Sequence, residues 1–185
     1  MAEAEAPASW SPEVVDRDRW GGMAGEAIER LAAAHRQDRL PSSLLLVGPA
    51  AMGRELAALE TACLLTCPEG GGPWCRCRSC RRVREGIHPD VNLVLPQGAG
   101  RQIRIDQVRR VVESASGRPF ESGRRVWILD GVESGRFGAE AANAFLKTLE
   151  EPPPATLLIL LTSRPSSLLP TIRSRCQKVA FEPYP

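Results

Sequence analysis

The stretch AANAFLKTLEEPPPATLLILLTSRPSSLLPTIRSRC, from Ala141 to Cys176, decides the predicted fold. Its first part carries apolar residues at i, i+3, i+4 and i+7, which predicts a helix that packs along one face. These residues are Ala142, Phe145, Leu146 and Leu149. The proline run that starts at Pro152 lacks the N–H groups a helix needs, so we expect the helix to end near Glu151.

A buried strand is predicted directly after the prolines. The run from Leu157 to Leu161 is apolar without alternation, which is typical of a parallel strand covered on both faces. Thr162 and Ser163 then lie at its carboxyl end, where open α/β sheets place their functional residues. Farther on, Arg173 and Arg175 are expected on a short connecting turn.

This order of motifs resembles the replication clamp-loader branch of the AAA+ proteins, and within it the delta-prime family of bacterial DNA polymerase III subunits. The resemblance is carried by LKTLEEPP, the strand that follows, and PSSLLPTIRSRC. It implies that Arg175, in the Ser-Arg-Cys motif, reaches into the ATP site of a neighbouring subunit. The same comparison implies gamma/tau and delta subunits as partners, with the sliding clamp and primed DNA contacted through the complex.

Composition narrows the class of protein. The 185 residues are 43% hydrophobic and 25% charged with a net charge of +2, which are globular values without a bulk basic signature for nucleic acid. The amino terminus MAEAEAPASW has no signal-peptide pattern, and no run of eighteen apolar residues occurs. We therefore expect a cytoplasmic protein whose cysteines are thiols or metal ligands.

A strand, a glycine-bounded loop and a helix predict a phosphate cradle near residue 50. The loop runs from Gly48 to Gly53 after an apolar strand, and an apolar helix follows it. By the resemblance, Arg54 stands where an ATPase has Lys, and Glu55 stands where it has the Mg²⁺-binding Ser or Thr. Ala51 also replaces a glycine of the loop. We expect Arg54 and Glu55 to form a structural pair in an inactive loop; residual nucleotide binding is the alternative.

The second acidic motif is incomplete as well. Asp130 ends the predicted strand VWILD, but Gly131 follows where an ATPase would have Glu to polarise water. The degenerate nucleotide site is therefore predicted to comprise Gly48, Gly53, Arg54, Asp130 and Thr162. We expect weak or absent binding of Mg²⁺-ATP and no ATP hydrolysis by this chain.

Four cysteines within fourteen residues predict a structural Zn²⁺ site on a Gly/Pro-rich excursion. These residues are Cys67, Cys75, Cys77 and Cys80. Zinc modules at this place are a feature of the family, but here only Arg76 separates the second and third candidate ligands. Cys63 is the substitute candidate for the fourth ligand, and free thiols or redox chemistry are the alternatives to zinc.

Two further groups receive no catalytic role. His88-Pro89-Asp90 is interpreted as a turn or capping motif before a strand. A dense basic group surrounds the next helix, and either a solvated face or contact with DNA phosphates or an acidic neighbour explains it. This group consists of Arg101, Arg104, Arg109 and Arg110.

The elements together predict a RecA-like AAA+ P-loop fold with a five-stranded parallel sheet covered by helices on both faces. Strands are expected near 43–47, 91–95, 125–130, 156–161 and 177–181. Residues 1–20 are interpreted as a flexible arm with Trp20 as a candidate anchor, and a first helix is expected from Gly22 to Gln37. Residues 21–185 are interpreted as one domain with a zinc module at about 63–82.

These observations leave one favoured function and two alternatives. The family continues into a helical lid and a collar that we expect to be absent here, so the chain is either a reduced form or a first domain. The favoured function is a non-hydrolysing clamp-loader subunit that completes a neighbour's ATP site. The alternatives are a gamma/tau-like ATPase with a divergent loop, and a free-standing zinc-stabilised interaction domain.

Overall fold

The computed structural model describes Trp10 and residues 16–50, 52–70, 72–98, 101–133 and 137–181. The helices are α1 Arg17–Arg36, α2 Arg54–Thr66, α3 Arg78–Arg84, α4 Ile105–Ala115, α5 Ala139–Glu150 and α6 Pro170–Arg175. The strands are β1 Ser43–Val47, β2 Val91–Val94, β3 Arg125–Asp130, β4 Thr156–Thr162 and β5 Gln177–Ala180. A short 3₁₀ helix, Pro165–Ser167, connects β4 to α6.

The five strands form one parallel sheet in the order β2-β3-β4-β1-β5. Val47 pairs with Thr162, and Asp130 pairs with Leu161, so the carboxyl ends of β1, β3 and β4 meet at one rim. The predicted α/β class and the parallel sheet are confirmed. The rim is where the chain gathers the residues of its predicted nucleotide site.

The core consists of two layers, one on each face of the sheet. All seven residues of β4 are buried, as the apolar run without alternation predicts. Leu157, Ile159 and Leu161 pack towards α1 and α2, whereas Leu158 and Leu160 pack with α4, α5 and α6. Each face therefore has its own apolar cluster, and the loops and motifs at the rim are held by a sheet that is covered on both sides.

Two predicted boundaries were wrong. Helix α1 begins at Arg17, five residues before the expected start at Gly22 and inside the segment expected to be an arm. The expected connecting turn around Arg173 is the short helix α6, which has a proline in its first turn, a position that needs no N–H donor. The side chain of Trp20, the predicted anchor, lies outside the described residues. Among the helices that the structure describes, we find none that combines the length and apolarity of a membrane span.

The His-Pro-Asp motif stabilises the start of the sheet, which agrees with its interpretation as a capping turn. Asp90 is fully buried, and its carboxylate accepts hydrogen bonds from the backbone N–H groups of Phe120, Glu121 and Ser122 and from the Ser122 hydroxyl. Burial alone would raise the pKa of Asp90, but these donors hold it below its ordinary value. His88 accepts a hydrogen bond from the Asp90 N–H through Nδ1. The motif therefore fixes the loop that leads into β3.

The basic group around α4 is solvent-exposed. All four arginines predicted there lie on the surface. Arg109 contacts Glu140 at 3.5 Å and Arg110 contacts Asp106 at 3.7 Å, and both ion pairs are exposed. This exposure agrees with a solvated helix face and equally with contact to DNA phosphates or an acidic neighbour.

Candidate functional site

The phosphate-loop frame is present at the carboxyl end of β1. Gly48 lies so close to Phe181, the residue after β5, that an added Cβ would meet its carbonyl oxygen at 2.5 Å, so any other residue there would require the backbone to shift. Gly53 caps the start of α2 with φ 87°, a left-handed conformation that glycine adopts without strain. Ala51 lies outside the described residues. The frame therefore agrees with the strand-loop-helix prediction.

The side chain of Arg54 turns into this loop. Its guanidinium donates to the Gly48 carbonyl at 2.6 Å, to Glu55 Oε1 at 2.8 Å and to Asp130 Oδ1 at 3.3 Å. Arg54 and Glu55 are only 3% and 1% exposed. The predicted structural pair of Arg54 and Glu55 is thus present, and the cation that would face a phosphate is held by the protein's own acceptors.

The local charge also opposes an anion. One guanidinium lies between two carboxylates, so the group is net negative when Glu55 and Asp130 are both ionised. Burial raises the pKa of Glu55 and of Asp130 above their ordinary values, and the Arg54 charge opposes the shift at both. Glu55 Oε2 is buried and has no hydrogen-bond partner among the described residues. When both carboxylates are ionised, a phosphate would therefore meet a net negative group here.

Trp10 closes the same site from the amino-terminal side. Its indole N–H donates to Asp130 Oδ2 at 2.8 Å, while Arg54 binds the other oxygen of that carboxylate. Each oxygen of Asp130 therefore has a protein partner. The sequence analysis missed Trp10, because one aromatic residue in a polar segment has no periodic pattern that reveals its partner.

The position where an ATPase has its water-polarising glutamate, Gly131, also differs in backbone conformation from what a glutamate would need. Gly131 has φ 81°, and a Cβ there would lie 3.0 Å from Pro96 Cγ, so a glutamate at this position would be strained. The nearby carboxylate of Glu133 instead accepts bonds from the Ser163 N–H at 2.8 Å and hydroxyl at 2.7 Å. Thr162, the last predicted member of the site, is fully buried, and its carbonyl accepts the Gly48 N–H at 3.1 Å. These polar groups join the strand ends to one another.

Arg175, the arginine expected to reach a neighbouring subunit, lies at the end of α6 and is exposed. Arg175 donates to Glu150 Oε1 at 2.6 Å and to the Thr171 carbonyl at 3.0 Å. The Arg175 and Glu150 side chains are 33% and 48% exposed, and Arg173 is exposed as well. An exposed ion pair of this kind contributes about 0–1 kcal/mol, so the guanidinium is available to another acceptor at little cost.

The four predicted cysteines come together beside α2. Their sulfur atoms all lie within 4.8 Å of one another. Cys67 Sγ lies 3.7 Å from Cys75 Sγ and 3.8 Å from Cys77 Sγ. Tetrahedral Zn²⁺ with Zn–S bonds of about 2.3 Å places its sulfurs about 3.8 Å apart, so this donor set fits that ion. The cluster could hold a metal.

The thiol of Cys63, the substitute candidate ligand, does not point into the group of four sulfur atoms. It contacts the Cys80 carbonyl oxygen at 3.6 Å, and it is not part of the four-sulfur group. Cys77 instead caps α3, where its sulfur accepts the Cys80 N–H at 3.4 Å. An N–H directed at sulfur stabilises a thiolate, so the geometry favours Cys77 over Cys63 as the fourth candidate ligand.

Comparison with known proteins identifies the family. The sequence profile of the family described as "DNA polymerase III, delta subunit" matches residues 23–185. The chain belongs to this family. Together with the sheet order, this confirms the clamp-loader AAA+ resemblance predicted from residues 141–176.

Individual proteins of the DNA polymerase III clamp-loader group are also similar to this chain in sequence. DNA polymerase III subunit delta′ of Bacillus subtilis (strain 168) is 39% identical over 148 residues, which cover 80% of this chain and 44% of that protein. The delta′ subunit of Pseudomonas aeruginosa is 41% identical over 138 residues, or 74% of this chain and 42% of the relative. The chain therefore spans less than half the length of these relatives.

A solved structure supports the fold. The crystal structure of a DNA polymerase III gamma subunit-related protein from Thermotoga maritima superimposes with a TM-score of 0.61 at 27% sequence identity. The match covers 85% of this chain and 46% of that one. The fold is thus shared with a gamma-related member of the same group.

Proposed function

We propose that this chain is a non-hydrolysing subunit of a bacterial clamp loader and that it completes the ATP site of a neighbouring gamma/tau-type subunit in trans. It acts in the cytoplasm with gamma/tau and delta subunits to place the sliding clamp on primed DNA. One observation carries the proposal: Arg54 fills the chain's own phosphate loop, whereas Arg175 is exposed at the end of α6.

The proposed role of Arg175 rests on the positive charge of its guanidinium. During phosphoryl transfer, negative charge spreads over the transferred group, and an arginine from a neighbouring subunit stabilises it. The Glu150 carboxylate holds the guanidinium at the surface of this chain in an exposed pair. A nucleotide phosphate in the adjoining subunit would replace Glu150 as the acceptor, because a charge-assisted bond to phosphate is at least as strong as a screened surface pair.

The thiolate cluster has a structural role in this proposal. Cys67, Cys75, Cys77 and Cys80 would hold one Zn²⁺ that fixes the excursion between α2 and α3. All four coordination positions are then taken by protein sulfur, as in structural rather than catalytic zinc sites.

The first expected result is the absence of nucleotide binding by the isolated chain. Adding 1 mM Mg²⁺-ATP, about a hundred times a 10 µM Kd, would stabilise a competent site by about 2.7 kcal/mol, whereas this chain should show no shift of melting temperature. Arg54 already occupies the cation's place, and Glu55 would repel the phosphates. A reproducible upward shift of several degrees in melting temperature, or ATP turnover of about 1 s⁻¹, would show that the loop is active.

Assembly tests the proposal as a whole. Tagged 185-residue chain, mixed under reducing conditions with the gamma/tau and delta subunits of the same organism, should co-purify with the gamma/tau ATPase. The charge-reversed variant Arg175→Glu should bind more weakly when ATP is present. If the chain binds neither subunit with or without ATP, a free-standing interaction domain becomes the better explanation.

A further inference from the structure

A buried carboxylate lies in the middle of α2. Glu60 is 0% exposed, and every residue of the helix around it is buried. A charge in such a position is costly unless other groups pair with it and satisfy its hydrogen bonds. Glu60 therefore requires a paired cation and hydrogen-bond donors beside it.

Arg84 supplies the paired charge. It is the last residue of α3, and it meets Glu60 through two parallel bonds, from Nε to Oε1 at 2.7 Å and from Nη2 to Oε2 at 2.7 Å. This bidentate arrangement fixes both the distance and the orientation of the two side chains. It joins α2, which begins at the phosphate loop, to the helix that carries Cys80.

Both members of the pair also hold the loop that presents Cys75. Glu60 Oε2 accepts the Trp74 N–H at 2.9 Å, and Arg84 Nη1 donates to the Cys75 carbonyl at 2.6 Å. Trp74 has φ 70°, a left-handed conformation that a bulky residue rarely adopts and that needs support from its surroundings. The two side chains thus hold the backbone on either side of the peptide bond between Trp74 and Cys75.

We propose that Glu60 and Arg84 are positioning residues for the thiolate cluster: they hold the Trp74–Cys75 backbone in the ligand-presenting conformation. The inference rests on the proposed metal site. Because the loop is ordered in advance, less of the metal's binding free energy is lost in ordering it. Groups that orient metal ligands commonly change affinity by about 10–100-fold when they are removed.

Substitution of each partner tests the pair. Glu60→Gln keeps the shape but removes the charge, and Arg84→Lys keeps the charge but removes the planar fork. Each variant of the 185-residue chain should bind Zn²⁺ about 10–100-fold more weakly in competition with a chromophoric chelator. The double variant should be little worse than either single variant, since the two residues act as one unit. Arg81→Lys, exposed on the same helix, is the matched control and should bind as the wild type does.

A second measurement separates positioning from general stability. If the pair acts through the metal loop, the variants lose more stability relative to wild type when Zn²⁺ is bound than after chelation. Equal Zn²⁺ affinity in the wild type and in Arg84→Lys, the milder change, would overturn the positioning role. Absence of stoichiometric Zn²⁺ in the wild type would instead overturn the metal proposal, and the inference with it.

Discussion

Arg175→Ala is expected to lower ATP hydrolysis by about 10³-fold at the site of the clamp loader that this chain borders. The reason is electrostatic, since the variant removes the charge that would stabilise the transferring phosphoryl group. The folded chain should be nearly unaffected, because the pair with Glu150 is exposed and contributes at most about 1 kcal/mol, or roughly 2–4 °C in melting temperature. Clamp-dependent ATPase of the reconstituted complex, with the other sites inactivated, is the measurement.

Two variants control this experiment. Arg173→Ala removes an exposed charge from the same helix and should leave hydrolysis within about twofold of the wild type, which separates a specific guanidinium from general basicity. Glu150→Gln releases Arg175 from its partner and should not reproduce the loss. An Arg175→Ala chain that assembles and melts normally but supports full hydrolysis would remove the main reason for the proposed role. A marked loss of thermal stability would show that Arg175 serves the fold.

Sequence patterns predicted the central strands of the sheet well because these strands are short and mostly apolar. The bounds of β1 and β3 coincide with the predicted 43–47 and 125–130. Polar residues or glycine flank each of these apolar runs, so the ends of the strands can be predicted from the neighbouring residues alone. Helix α5 ends at Glu150, one residue before the expected end, because the prolines remove the donors that would continue it.

The missed helices have weak local signals. Arg17 and the residues after it carry charges without an apolar period, so nothing marked the true start of α1. Helix α6 has six residues, fewer than two turns, which is too short for a helical period to appear. Pro170 in the first turn was the available signal, and it suits a helix start as well as a loop.

The loop residues and the pair of neighbours Arg54 and Glu55 could be predicted from the sequence, but Trp10 and the long-range contacts of the site could not. The substitutions at Arg54 and Glu55 indicate lost function, yet the bond from Trp10 to Asp130 joins residues 120 positions apart. Glu60 and Arg84 are 24 positions apart, and an acidic residue among the apolar residues in the middle of α2 was the local sign of a buried pair. Such contacts depend on tertiary packing, which a single sequence does not encode as a pattern.

The last expected result concerns the metal ligands. Cys77→Ser should lower Zn²⁺ affinity by at least about 100-fold, because a neutral hydroxyl replaces a thiolate in a four-sulfur site. Zn²⁺ present at about a hundred times its Kd stabilises the folded chain by about 2.7 kcal/mol, so the variant should melt roughly 5–10 °C lower at the same metal concentration. Measured zinc content and thermal unfolding with and without a chelator provide the test.

Cys63→Ser is the matched control for Cys77→Ser and should keep its zinc, since the Cys63 thiol is directed at the Cys80 carbonyl oxygen and not into the four-sulfur group. Retention of zinc by Cys77→Ser and its loss from Cys63→Ser would reverse the assignment of the fourth ligand. Far-ultraviolet circular dichroism of the chelated wild type should still report the helices and the sheet, because β4 and its neighbours are covered by apolar clusters on both faces. Collapse of that signal on chelation would mean that the metal is required for the fold of the whole domain, and not only for the order of the excursion.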